Sequence, residues 1–232
     1  MSTKSGSGVR NLKQRVKTAN KRSLSSQKWL ERQLNDPYVA RAKREGYRSR
    51  AAFKLLEIDE KFHILKPGQK IVDLGAAPGG WSQIAAQKVG PRGRIVGIDL
   101  LPIDPMAGVE FIQLDFLDES APGKLMDMLG GPADLVMSDM AANTTGHKKT
   151  DHLRIIGLAE AAIYFAREIL APGGAFVAKV FQGGTENQLL GDLKRDFAVV
   201  RHVKPSASRA DSAELYVLAT GFRGAAGQTP SP

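Results

Sequence analysis

The chain has 232 residues, 42% of them hydrophobic and 25% charged, with a formal net charge of +9. These are the figures of a globular protein with one domain and an ordinary core. No apolar run approaches the ~20 residues of a membrane-spanning helix, and the lack of cysteine excludes disulfides, zinc–thiolate sites and thiol nucleophiles.

The chain opens with "MSTKSGSGVRNLKQRVKTANKR", basic but without the apolar stretch of a secretory signal, so a cytoplasmic location is expected. Residues 1–25 read as a flexible basic arm, 26–222 as the folded domain and 223–232 as a disordered tail. The charge is unevenly placed. Residues 1–54 hold 15 Lys/Arg against Glu31, Asp36 and Glu45, a local +12, and the remainder stands at −3. A solvated tail explains residues 1–22 by itself. The basic run continues, however, through "YVARAKREGYRSRAAFKLLEI", where aromatic and apolar residues mark folded chain. A positive segment on a mildly acidic body points to a polyanion, most simply nucleic acid. Acidic lipid fits less well, since no basic helix with a broad apolar face is evident.

"SQKWLERQLNDPYVARAKREG" predicts one or two short helices broken at Asp36-Pro37. "SRAAFKLLEIDEKFHIL" predicts a helix burying Phe53, Leu56 and Leu65 and stopped by Pro67-Gly68. Strand and helix then alternate: "KIVDLG", a helix over 80–89, "RIVGIDLL", "VEFIQLDF", a short helix in "APGKLMDMLG", and "ADLVMSDM". A long helix, "TDHLRIIGLAEAAIYFAREIL", is closed by "APGG". "AFVAKVFQ", a helix in "TENQLLGDLKRDF", "AVVRHVKP" and "AELYVLATGF" complete the order. This alternation predicts an α/β fold, a mostly parallel sheet with helices on both faces. Only "SASRADS" links the last two strands, so the final strand should run antiparallel. Ligands on such sheets sit beyond the carboxyl ends of the strands.

The glycine turn in "IVDLGAAPGGWSQIAA" (71–86) lies at such an end. A P-loop requires Gly-Lys-Ser/Thr after its glycines, and Trp81-Ser82 stands there instead. A dinucleotide fingerprint requires G-x-G-x-x-G, and Ala76 occupies the second glycine position. S-adenosylmethionine fits better. Its ammonium can use an acid such as Asp73, and its carboxylate the backbone N–H groups of a helix start around Gly75, Gly79 and Gly80. Asp99 ends the second strand, where a carboxylate can accept both ribose hydroxyls. Asp115 ends the third and can accept from the adenine amino group, and Asp139 ends the fourth. Each alone is an ordinary turn aspartate; four at consecutive strand ends are not. Trp81 is equally an adenosine contact or core packing.

Lys179 interrupts a run suited to a buried central strand, where an unpaired ammonium is costly. A lysine reaching back to solvent is one reading; an ion-paired base in the cleft is the favoured one. Singly, Lys54 reads as a solvated helix lysine and Glu214 as an exposed edge carboxylate.

With "SRAAFKLLEI", "VDLGAAPGGWSQ", "IDLLP", "LDF", "SDMAAN", "GGAFVAKVFQG" and "SRADSAELYVLATG" in place, the chain from about 24 to 222 resembles the FtsJ/RrmJ (RlmE) family of ribosomal RNA large-subunit methyltransferases. The resemblance implies a Rossmann-like S-adenosylmethionine-dependent fold. It implies a Lys-Asp-Lys-Glu tetrad, which falls on Lys54, Asp139, Lys179 and Glu214. It places the methyl donor against Gly79, Trp81, Asp99, Asp115 and Asp139. One departure is Ala142, where the family usually has proline. The implied reaction is methylation of a uridine ribose 2′-hydroxyl in the A-loop of 23S rRNA, within the 50S subunit. Lys179 is then the proton acceptor, helped by repulsion from Lys54 and oriented by Asp139 and Glu214.

A 2′-O-methyltransferase of messenger caps or transfer RNA, and a non-catalytic ribosome-assembly factor, are the alternatives. No metal site is expected, because His63, His147, His152 and His202 form no ligand-spaced pair. Neither a membrane partner nor an oligomer is expected.

Overall fold

The computed structural model describes residues 24–141, 148–181, 187–210 and 212–224. Most of the expected arm, the tail from 225, Ala142 and His147 lie outside the described residues. Three helices come first: α1 (Leu24–Leu34), α2 (Pro37–Glu45) and α3 (Ala52–Phe62). The break falls at Asp36-Pro37 as expected. Pro37 has no N–H to leave unpaired at a helix start, and Asp36 caps α2 by accepting the Tyr38 N–H at 3.0 Å. The third helix stops earlier than its sequence suggests, at Phe62. His63 turns left-handed (φ 51°) and donates its N–H to the Asp59 carbonyl at 2.7 Å. The Asp59 carboxylate then takes the Leu65 N–H at 2.8 Å, which ends the helix before the proline is reached. Phe53 and Leu65 are buried, and Leu56 is half-buried.

The rest alternates: β1 (Lys70–Leu74), α4 (Gly80–Val89), β2 (Arg94–Asp99), β3 (Glu110–Gln113), α5 (Ala121–Leu129) and β4 (Ala133–Ser138). It continues with α6 (Lys148–Ile169), β5 (Leu170–Phe181), α7 (Asn187–Asp196), β6 (Phe197–Val203) and β7 (Glu214–Phe222). The seven strands form one sheet in the order β3-β2-β1-β4-β5-β7-β6. The first five strands are parallel, and β7 is antiparallel to both β5 and β6, as the short final link requires. Two boundaries differ from expectation. "APGG" lies within β5: Leu170 pairs with Ala133 and Ala175 with Leu135, so the turn is looped out of the ladder. β3 ends at Gln113, two residues short of Asp115, which accepts the Leu117 N–H at 3.0 Å in a turn of its own.

Side chains alternate across each strand and divide the core in two. Val72, Val96, Val136 and Phe176 face α5, α6 and α7. Ile71, Ile95, Leu135, Val177 and Tyr216 face α3 and α4. A third, smaller cluster joins Ala42 and Phe53 to Ala207 of the β6–β7 loop. Among the described residues no helix is long and apolar enough to cross a membrane.

Candidate active site

The period of two decides where the strand lysine points. Lys179 shares its face with Val177, the side packed by α3 and α4, and in the antiparallel register it lies opposite Tyr216. Two residues before Tyr216 stands Glu214, on that same face. Lys54 reaches the group from α3. Asp139 follows the last residue of β4, between them. All four side chains meet. Lys179 Nζ lies 2.7 Å from Asp139 Oδ1 and 3.7 Å from Glu214 Oε2. Lys54 Nζ lies 2.8 Å from Glu214 Oε1 and 3.5 Å from Asp139 Oδ1. Lys179 also donates to the Asp139 carbonyl at 2.9 Å.

Neither solitary reading of the outer pair survives. Lys54 is 7% exposed, not a solvated helix lysine, and Glu214 lies on a strand with neighbours on both sides. Two ammoniums and two carboxylates balance, which is the condition for burying them. Burial pushes Lys54 down, reinforced by repulsion from Lys179 and opposed by the two carboxylates. Burial acts to raise Glu214, but the ammoniums of Lys179 and Lys54 outweigh it and hold its carboxyl at about 2.

Sequence reasoning missed two members of this cluster. Tyr216 donates its hydroxyl to Asp139 Oδ1 at 2.5 Å and lies 3.3 Å from Glu214 Oε1. Burial, then the Asp139 and Glu214 carboxylates, raise its phenol well above the ordinary value, so it stays a donor. Its spacing of two from Glu214 was the available signal. Ser208 donates to Glu214 Oε1 at 2.7 Å; nothing local in the sequence marks it.

The glycine turn sits beside this cluster. Its glycines are required by the protein itself. Gly75 has φ +70°, and a Cβ there would run into the Met140 side chain. A Cβ on Gly80 would run into Ser49 Oγ, and Gly79 (φ +101°) has the Arg48 guanidinium against it. The N–H groups of Gly75 and Ala76 are taken by the Ile98 carbonyl, and that of Gly79 by Ala76. The α4 start leaves Gly80 and Trp81 N–H groups without intrahelical acceptors. Asp73 is turned inward, 1% exposed, and accepts from Ser82 Oγ at 2.6 Å and from the Ser82 N–H. Both contacts hold the start of α4, the edge at which the sequence places the donor's ammonium. Burial pushes its carboxyl up to about 7, with Ser82 pulling the other way and Asp139 adding to the rise. Trp81 is 2% exposed; its indole donates to the Ala51 carbonyl at 2.9 Å and its ring packs on Tyr216. Of the two readings of Trp81, the side chain takes core packing.

Asp99 and Asp115 stand at the same edge. Asp99 receives the Ala77 and Leu101 N–H groups, at 2.9 and 2.8 Å, and Asp115 is exposed. Beside them Leu100, Leu101 and Leu117 are 64%, 62% and 61% exposed. Large apolar side chains held in water around two acids suit a flat base with a ribose. These residues could hold such a cofactor: the α4 start could take a carboxylate, Asp99 a ribose, and the leucines with Asp115 a flat base.

An open sheet in which only β7 runs against the other strands, with chemistry gathered at the carboxyl edge, defines a Rossmann-like methyltransferase. The chain belongs to the FtsJ-like methyltransferase family, which it matches over residues 47–222. The ribosomal RNA large subunit methyltransferase E of Azorhizobium caulinodans is 72% identical over 224 residues, 95% of this chain and 93% of that one. Its namesake in Xanthobacter autotrophicus is 71% identical, covering 95% and 88%. A solved structure from Plasmodium falciparum, described as a ribosomal RNA methyltransferase, aligns with a TM-score of 0.68 at 32% identity, over 77% of this chain and 100% of its own.

Proposed function

We propose that the protein methylates a ribose 2′-hydroxyl of large-subunit ribosomal RNA, with S-adenosylmethionine as donor and the A-loop uridine of 23S rRNA in the 50S particle as target. The observation that carries this is the convergence of Lys54, Asp139, Lys179 and Glu214 within ion-pair distance, beside a helix start suited to the donor. The donor supplies an electrophilic methyl group on sulfonium. The protein must supply alignment and a proton acceptor, because a ribose hydroxyl is a poor nucleophile near neutral pH. In this reading Lys179 reacts as the free amine: its Nζ accepts the hydroxyl proton and becomes the ammonium that the two carboxylates balance. Asp139 fixes that amine through side chain and carbonyl. Glu214 fixes Lys54, and the paired carboxylates balance the positive charge as the proton arrives. Such a base contributes ~10²–10⁴-fold, and alignment of the two reactants adds to it. The 2′-hydroxyl itself selects RNA over DNA. A cytoplasmic, monomeric enzyme is part of the same reading.

Radiolabelled donor incubated with 50S particles, naked 23S and 16S rRNA and transfer RNA tests the proposal. Label entering large-subunit particles, at one uridine 2′-oxygen, is expected. Label in transfer RNA alone would move the substrate, and label in none of them would leave an assembly factor.

A further inference from the structure

A cavity of about 590 Å³ opens between the end of α1, the start of α2 and the β6–β7 loop. Its wall touches the catalytic cluster, because Ser208, which lines it, is the residue that donates to Glu214. Arg32, Asn35, Tyr38, Arg50 and Arg209 line it too. Arg50 and Arg209 converge on one oxygen of Asp36, at 2.7 and 3.1 Å. Asp36 is 7% exposed, so it fixes the two guanidiniums from behind. The Arg50 guanidinium lies 5.7 Å from the centre of the Tyr38 ring, and Arg50 also donates to the Ala207 carbonyl. Among the described residues, its Nε is buried without a hydrogen-bond partner. Among the described residues that line the cavity, three arginines stand against two acids, Asp36 and Glu31, a balance of one positive charge.

We infer that this cavity is a subsite for one unpaired nucleotide next to the methylated one, its base on the Tyr38–Arg50 wall and its phosphate towards Arg32 and Arg209. The inference rests on the ribose-methylation reading above. Single-stranded RNA is recognised by bases splayed onto aromatic rings and guanidinium planes, with cations tracking the phosphates. The volume lies in the ~300–1,000 Å³ range of pockets that enclose small ligands. Ser208 joins the cavity wall to Glu214, which lies 3.7 Å from Lys179, so a nucleotide held there would adjoin the cluster that does the chemistry. The bracket of Asp36, Arg50 and Arg209 would hold that neighbour and so set which ribose reaches Lys179.

Filling the cavity without altering its charges tests this. Ser206 lines it and is exposed. Ser206→Trp is expected to raise the KM for RNA about tenfold, with donor Kd and melting temperature unchanged. Asn35→Trp fills the cavity from the α1 side should the first variant fold poorly. A KM within twofold of wild type in the folded plugged variants overturns the subsite. RNA fragments carrying one abasic residue at each position around the target then locate the nucleotide. One position should raise KM in the wild type and add nothing in the plugged variant; additive effects at every position overturn the proposal. A wild-type enzyme that methylates no RNA would refute the ribose-methylation reading instead. Fluorescence anisotropy with the same fragments would still compare open and plugged cavities.

Discussion

Asp73, buried, and Glu214, half-buried, are two carboxyls at one end of the sheet, and their surroundings drive them in opposite directions. Glu214 has two ammoniums within 4 Å and sits at about 2. Its contribution to stability is present above its unfolded value of ~4.3 and is lost as pH falls towards 2. Asp73 has only Ser82 to offset burial and sits at about 7. The native state keeps a proton that the unfolded chain has released, so stability falls as pH rises from ~4 to 7. Asp73→Asn preserves an oxygen for Ser82 and removes the titration. Its stability relative to wild type should therefore grow with pH, by up to about 4 kcal/mol between pH 4 and 8. Urea melts at pH 4, 6 and 8 measure this, and a difference that stays flat would show that Asp73 is ionised throughout. At Lys179 the expected effect is kinetic. Lys179→Ala should cut single-turnover methyl transfer by ~10²–10⁴ while calorimetry finds donor affinity unchanged. Near-normal turnover would remove Lys179 as the base.

Between residue and fold stands the question of which elements carry the site, and here the sequence was readable only in part. The four acids were visible because parallel strands deliver their last residues to one edge, and Asp99 and Asp139 lie there within a residue of a strand end. Lys179 was visible because an ammonium contradicts a buried strand. Lys54 and Glu214 gained a role only from the family resemblance, since neither shows from its neighbours that α3 and β7 face each other. Asp36, Arg50 and Arg209 stayed hidden for the same reason: 173 residues separate Asp36 from Arg209. Arg48 is another long-range member. From the α2–α3 link it donates to the carbonyls of Pro78, Asp104 and Pro105, at 3.3, 2.7 and 2.7 Å, and so ties the basic helices to the glycine turn and the β2–β3 loop, the two loops beside the proposed donor site. Arg48→Ala should weaken donor binding about tenfold, the equivalent of ~1.4 kcal/mol. Arg48→Lys should not restore it, because a lysine lacks the fork that spans two loops. Calorimetric titration with donor decides; unchanged affinity in both variants would make the strap irrelevant to the donor.

At the scale of the whole molecule the distribution of charge governs how RNA is met. Beyond residue 54 the chain is net negative, so most of the attraction to a polyanion belongs to the N-terminal segment, with Arg209 adding to it at the cavity. Two sources lie within that segment. On α2, Arg41 and Arg44 have side chains 48% and 71% exposed but share Glu45 as a partner, which halves their value. Residues 1–22 carry seven lysines and arginines and no acid. If all seven neutralise phosphates, deleting residues 1–22 should reduce the slope of log K against log salt by up to about 5, at ~0.7 per phosphate for single strands. Affinity for RNA should fall most at low salt. Donor Kd should not change, because the donor's expected contacts lie within the sheet and α4. Filter binding across a salt series measures the slope. A slope unaltered by the deletion would assign the electrostatic attraction to α2 and the arginines around the cavity, and the arm would have no part in RNA binding.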